Sequence, residues 1–154
     1  MEKWYRFYHR FLSRTVTAED SVLLFVRLTL GSLFIQSGWG KFQRLDGVVE
    51  YFNRLGIPAA QYQAPFVASV ELIAGFFILF GVFAAVTALP LMVIMLVATL
   101  TARREEIDSL TAFNEISEFL YLLLLGIILV RGAGQFSVDG YFKTKLASKL
   151  VKAS

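Results

Sequence analysis

Few residues in this chain could do chemistry, and most of them interrupt apolar stretches. Arg27 breaks one stretch, Glu71 a second, and Asn114, Glu115 and Glu118 open a third. A charge in hydrocarbon is costly and tends to face protein or water, so each marks a place where helices meet around something polar. At about 100° per residue, Arg27, Gly31, Phe34, Gly38 and Lys41 form one stripe of a helix. Its two glycines let a second backbone come close. Glu71 shares a face with Ala64, Ala68 and Gly75, and Asn114, Glu118 and Tyr121 share another. Counted at about 1.5 Å of rise per residue, Arg27 reaches the depth of Glu71 near mid-span. By the same count Lys41 or Trp39 reaches Glu118 and Asn114 nearer the far surface. The expectation is one polar seam of Arg27, Trp39, Lys41, Glu71, Asn114, Glu118 and Tyr121, with Arg27 paired to Glu71. Such a seam can hold helices in register, bind a small polar or redox ligand, or pass protons through Glu71.

Other chemistries are excluded by residue type. The chain has no cysteine and one histidine, His9. That removes thiol–disulfide exchange, cysteine-held iron–sulfur clusters, haem held by two histidines and Ser–His–Asp catalysis. Glu115 and Glu118 resemble half of a di-iron bundle site, but the Glu-x-x-His partners are missing, so no metal is expected. Gly38-Trp39-Gly40 follows no strand and is no nucleotide fingerprint. Nothing points to nucleic acid.

The elements that must position these residues are membrane helices. The 154 residues are 56% hydrophobic, with 15 phenylalanines, and the mean hydropathy is +0.62. A soluble domain of this size has too little interior to hide that surface. The reading is a single all-α domain over residues 1–154, a membrane four-helix bundle. Its spans lie at about 20–42, 61–81, 84–102 and 112–131, each near the roughly 20 residues a crossing needs. Thr17 and Asp20 have the spacing of a capping box that would open the first helix. That apolar run is too long for a signal peptide and lacks a small-x-small cleavage site, so it reads as a span that also targets the chain. From Ala60 to Thr101 the chain is apolar for twice the length of one crossing, which requires a hairpin turning between Gly81 and Thr87.

Amphipathic stretches flank the spans. Glu2–Leu12 sets Lys3, Arg6 and Arg10 on one face and Trp4, Phe7, Tyr8 and Phe11 on another. A second lies in the first loop over Val48–Leu55, ended by Gly56 and Pro58. The tail beyond Arg131 carries Lys143, Lys145, Lys149 and Lys152 with Phe142, Leu146 and Leu150 between them. All three read as interfacial helices, the basic ends facing anionic lipid. The two tails together hold Lys3, Arg6, Arg10, Arg14, Arg131 and those four lysines, whereas the opposite side holds Lys41, Arg44, Arg54, Arg103 and Arg104. The positive-inside rule then puts both termini in the cytoplasm.

Several segments, in order, resemble the DoxX family of small bacterial and archaeal membrane proteins. They are Arg27–Gly31 (RLTLG), Ser37–Phe42 (SGWGKF), Leu55–Pro58 (LGIP), Val70–Gly75 (VELIAG) and Gly132–Asp139 (GAGQFSVD). Two positions depart from the family pattern: Ser37 replaces a common histidine and Ala133 a common proline. The resemblance implies four transmembrane helices in a bacterial inner membrane and a link to redox biology. Relatives look like quinone-reducing thiosulfate oxidoreductase subunits or membrane partners of oxidative-stress enzymes. A chain without cysteine would then hold a quinone or anchor a membrane or soluble redox partner, another copy of itself included. Alternatives from other classes are a non-catalytic scaffold that binds soluble partners and a small transporter or proton carrier using Glu71.

Overall fold

The structure, a computed structural model, describes residues 2–102 and 117–153, with side chains over 18–101 and 117–146. Among the described residues it is helical, without strands. Within the described residues six helices follow one another: α1 (Glu2–Gln43), α2 (Leu45–Arg54), α3 (Ala60–Phe80), α4 (Ala84–Ala102), α5 (Ser117–Arg131) and α6 (Val138–Ala153). Three described segments are long and apolar enough to cross a membrane: Ala18–Gln43, Ala60–Phe80 and Ala84–Thr101. The described part of α5 is equally apolar but shorter, and the start of the expected fourth span lies outside the described residues. Large apolar side chains such as Phe25, Phe66, Phe80, Val93 and Leu100 are exposed on the helices' outer faces. In water that surface would drive aggregation; in a membrane it meets lipid.

Two helix pairs carry the packing, α1 with α3 and α4 with α5. The first is a contact between backbones. A Cβ built on Gly38 would lie 2.7 Å from the Leu72 nitrogen, and one on Gly31 would lie 2.9 Å from the Gly75 carbonyl oxygen. Antiparallel packing through these glycines fixes the register. Gly38 sits against Ala68–Leu72, Gly31 against Gly75–Leu79, and Arg27 against Gly81. The apolar core, with Leu30, Phe34, Ile78, Leu91, Leu125 and Ile128 fully buried, joins the two pairs.

Helix ends follow local chemistry. Gly81 ends α3 in the left-handed conformation at φ 67°, its N–H bonded to the Ile78 carbonyl, and so makes the hairpin turn. Gly56, at φ 73°, ends α2 in the same way. Ser137 caps α6, its hydroxyl accepting the Gly140 N–H at 2.9 Å.

One expectation fails here. Helix α1 does not begin at a Thr17–Asp20 capping box but runs unbroken from Glu2. Asp20 instead accepts the backbone N–H of Gln135 at 2.8 Å, so its carboxylate ties α1 to the loop after α5. The N-terminal amphipathic stretch is thus a continuation of the first span rather than a separate helix. The loop helix α2 and the basic tail helix α6 are separate elements.

Candidate functional site

The polar residues fall into two clusters at opposite ends of the bundle, not into one seam. The register of α1 on α3 explains why. It sets Glu71 level with Ser37, ten residues along α1 from Arg27 and so about 15 Å away along the axis.

The first cluster lies toward the α2 end. Glu71 is 1% exposed, and its Oε2 accepts the Ser37 hydroxyl at 2.9 Å. The same oxygen takes a close hydrogen bond and ion pair from Lys41 Nζ, which also reaches Ser37 Oγ at 2.8 Å. Ser37 and Lys41 are four residues apart on one face of α1, so helix geometry alone aims both at α3. A buried carboxylate without such partners would be strongly disfavoured. Lys41 is 24% exposed at its side chain and therefore links the buried carboxylate to an open space.

That space is a cavity of about 250 Å³. Ser37, Lys41, Glu71, Glu118 and Tyr121 line it together with Phe34, Tyr51, Phe52, Leu55 and Ile57. Phe34 and Tyr121 meet edge to face, with ring centroids 6.3 Å apart. Four of the seven residues expected at the seam, Lys41, Glu71, Glu118 and Tyr121, are thus brought together. Trp39 is not among them: it is 58% exposed on the outward side of α1. Asn114 lies outside the described residues. Sequence reasoning passed over Ser37 as a site residue, although its i, i+4 spacing to Lys41 was the available signal. It also passed over Tyr51 and Phe52, because nothing in the sequence says that α2 folds back over the bundle.

The second cluster corrects the expected Arg27–Glu71 pair. Arg27 is also 1% exposed, but its guanidinium donates to the Phe136 carbonyl in the loop between α5 and α6. It packs against Gly81, where a Cβ would overlap its Nη1, and is attracted by the charge of Asp139. Asp139 in turn caps the start of α4. Its two carboxylate oxygens accept the N–H groups of Phe83 and Ala84 at 2.9 and 3.0 Å, and its own N–H bonds the Gly81 carbonyl at 3.0 Å. These are the donors a helix start leaves unsatisfied. Arg27, Gly81, Phe136 and Asp139 form a clasp that locks the hairpin and the tail onto α1. Among the described residues no group of acids and histidines could hold a metal ion.

The family model described as DoxX matches residues 22–104. An "Inner membrane protein YqjF" of Escherichia coli is 30% identical over 130 residues, covering 82% of this chain and 96% of its own. A "Putative oxidoreductase CatD" of Bacillus subtilis is 29% identical over 102 residues, covering 66% and 71%. An uncharacterized membrane protein of Mycobacterium tuberculosis is 29% identical over 126 residues, covering 74% and 77%. No solved structure matches significantly. The matched stretch contains Ser37, Lys41 and Glu71, and the chain belongs to the DoxX family.

Proposed function

We propose that this chain is the membrane subunit of an electron-transfer system and that the cavity above Glu71 receives the head group of a quinone. The observation that carries the reading is the Ser37–Lys41–Glu71 cluster at the wall of a cavity whose other lining is rings and aliphatic side chains apart from Glu118 and Thr101. A quinone head is a flat apolar ring with two carbonyl oxygens that accept hydrogen bonds. The donor set fits it: Lys41 and Tyr121, both able to donate a hydrogen bond, line the cavity, and Tyr51, Phe52 and Phe34 supply faces and edges for a ring. The volume is below the roughly 300 Å³ at which pockets for larger ligands begin, so it suits one ring, with any tail left in lipid. When bound, a quinone accepts electrons and protons. Glu71 and Ser37 hold the Lys41 ammonium at the cavity wall, and Lys41 stays partly exposed there. The Bacillus relative whose printed name is that of an oxidoreductase supports the redox class. Electrons arrive from a partner, because a chain without cysteine has no thiol to supply them.

A short-tailed, water-soluble quinone titrated into the protein in nanodiscs should bind saturably, with one equivalent per chain by calorimetry. Lys41→Met should weaken binding at least about tenfold, the effect of losing one charge-assisted hydrogen bond. Trp39→Phe, on the outward face, should leave it unchanged. Partition that never saturates, or that ignores Lys41, would remove the quinone from the proposal.

The proposed setting is a bacterial inner membrane, crossed four times, with both termini in the cytoplasm and the cavity toward the outer side. Support comes from the placement of lysine and arginine in the tails and from the E. coli relative's printed name. A reporter active only outside the cytoplasm should be silent after Ser154 and active when inserted at Ile107. Equal signals at the two places would contradict the four-span topology.

A further inference from the structure

The tail end of the bundle carries two grooves that meet at one lysine. The first, about 560 Å³, is apolar, walled by Val82, Phe83 and Val86 at the start of α4 and by Val138 and Phe142 of α6. The second, about 520 Å³, is polar and includes Arg131, Gln135 and Thr144. Ala133, Asp139 and Lys143 line both.

The charges here are not evenly available. Asp139 spends both oxygens on the start of α4 and faces the buried Arg27. Asp20 holds the Gln135 N–H. Arg131 is paired with Glu19 at 3.0 Å, in a bridge exposed on both sides and therefore weak. Lys143 stands between the grooves without an ion pair among the described residues, and α6 continues with Lys145, Lys149 and Lys152. The apolar groove is also built at a cost. Phe83 holds φ at 45°, a conformation that bulky residues avoid, and the Asp139 carboxylate keeps it there by accepting its N–H. The ring that results lines the groove and is 70% exposed.

An apolar channel joined to a cation at the end of three membrane-length helices has the two-part chemistry of an amphiphile with a negative head. We propose that this double groove is a discrete site for one anionic phospholipid. One acyl chain lies against Phe83, Val86 and Phe142, and the phosphate sits at Lys143 on the polar side. The site differs from diffuse attraction of the basic tail to a charged surface, which scales with the number of cations and is indifferent to the groove. It lies at the opposite end of the bundle from the quinone cavity and does not depend on that reading.

Native mass spectrometry of the intact chain, extracted with phosphatidylglycerol and phosphatidylcholine in equal amounts, separates the two. One phosphatidylglycerol should stay bound per chain, at least tenfold more than phosphatidylcholine. Val86→Trp fills the groove at an exposed position without changing charge, and should lower retention at least fivefold; Lys143→Gln should do the same. Phe142→Asn, also at an exposed position, serves as a second groove variant if the first melts early. The triple change Lys145→Gln, Lys149→Gln, Lys152→Gln should keep the lipid. Loss of the lipid in the triple variant with retention in Val86→Trp and Phe142→Asn would overturn the site in favour of diffuse attraction. Equal retention of phosphatidylcholine would overturn the anionic choice.

Discussion

Gly38→Val is expected to unfold this protein at temperatures where the wild type is intact. A Cβ at position 38 meets the Leu72 nitrogen at 2.7 Å and the Ala68 carbonyl oxygen at 2.8 Å. Both are backbone atoms of α3, so no side chain can swing away, and only separation of α1 from α3 makes room. Overpacking of this kind costs about 1–3 kcal/mol and occasionally more. Alanine should fall inside that range, and the two further methyl groups of valine should exceed it. Gly31→Ala belongs to the same class, with the Leu79 Cβ at 2.7 Å and the Gly75 carbonyl oxygen at 2.9 Å. Gly126→Ala is the control. Nothing lies within 4 Å of a Cβ there, so it should be neutral or stabilise α5 by up to about 1 kcal/mol through helix propensity. Melting in detergent reads all four variants. Gly38→Val melting with the wild type would mean that α1 and α3 do not touch through their glycines.

The second large effect is a contrast between two double-mutant cycles. Lys41→Gln and Glu71→Gln each break a pair whose carboxylate is buried, and removing one partner of a buried pair costs about 3–5 kcal/mol. The loss should lie near the bottom of that range, because Lys41 is partly exposed and can turn toward water. Arg27→Gln should cost a similar amount, since it takes a charged donor from the Phe136 carbonyl and a counter-charge from Asp139. The coupling energies should differ sharply. Residues in contact couple by about 0.5–3 kcal/mol, whereas distant residues without shared partners add within about 0.5 kcal/mol. Lys41 with Glu71 should show the first behaviour and Arg27 with Glu71 the second. The reverse pattern would restore the pairing expected from depth counting and undo the register described here.

That contrast shows where the sequence was legible. The apolar lengths of the first three spans, the hairpin near Gly81, the loop helix and the basic tail helix all follow from composition and turn residues that act locally. The glycines of α1 and α3 were visible as a contact stripe for the same reason. What those glycines touch was not visible. Depth counted from assumed helix starts placed Arg27 opposite Glu71, but the register comes from which small residues interlock, and Gly38 against Ala68–Leu72 moves Glu71 up to Ser37. Asp20 looked like a helix cap because its spacing to Thr17 is right. Its partner, Gln135, is 115 residues away, and no local pattern encodes a bond of that range. Asp139 was quoted only within a resemblance, because its role as cap for α4 exists only once the tail folds back. Lys41, Glu71, Glu118 and Tyr121, which line one cavity, were legible because a polar group in an apolar helix announces itself. Tyr51 and Phe52 were not, since aromatic residues on an amphipathic helix look the same whether they face lipid or a cavity.

Photolabelling tests most directly whether the cavity between α2 and the Lys41–Glu71 pair holds the proposed quinone. An azido-quinone irradiated with the protein in nanodiscs should label peptides carrying Tyr51 and Phe52 of α2 and Tyr121 of α5, which line the cavity. Excess unlabelled quinone should abolish that labelling, and Lys41→Met should reduce it at least about tenfold. Label found only on the outward rings, such as Phe66, Phe80 or Phe83, and undiminished by competitor, would show that the quinone merely dissolves in the surrounding lipid and would contradict the account.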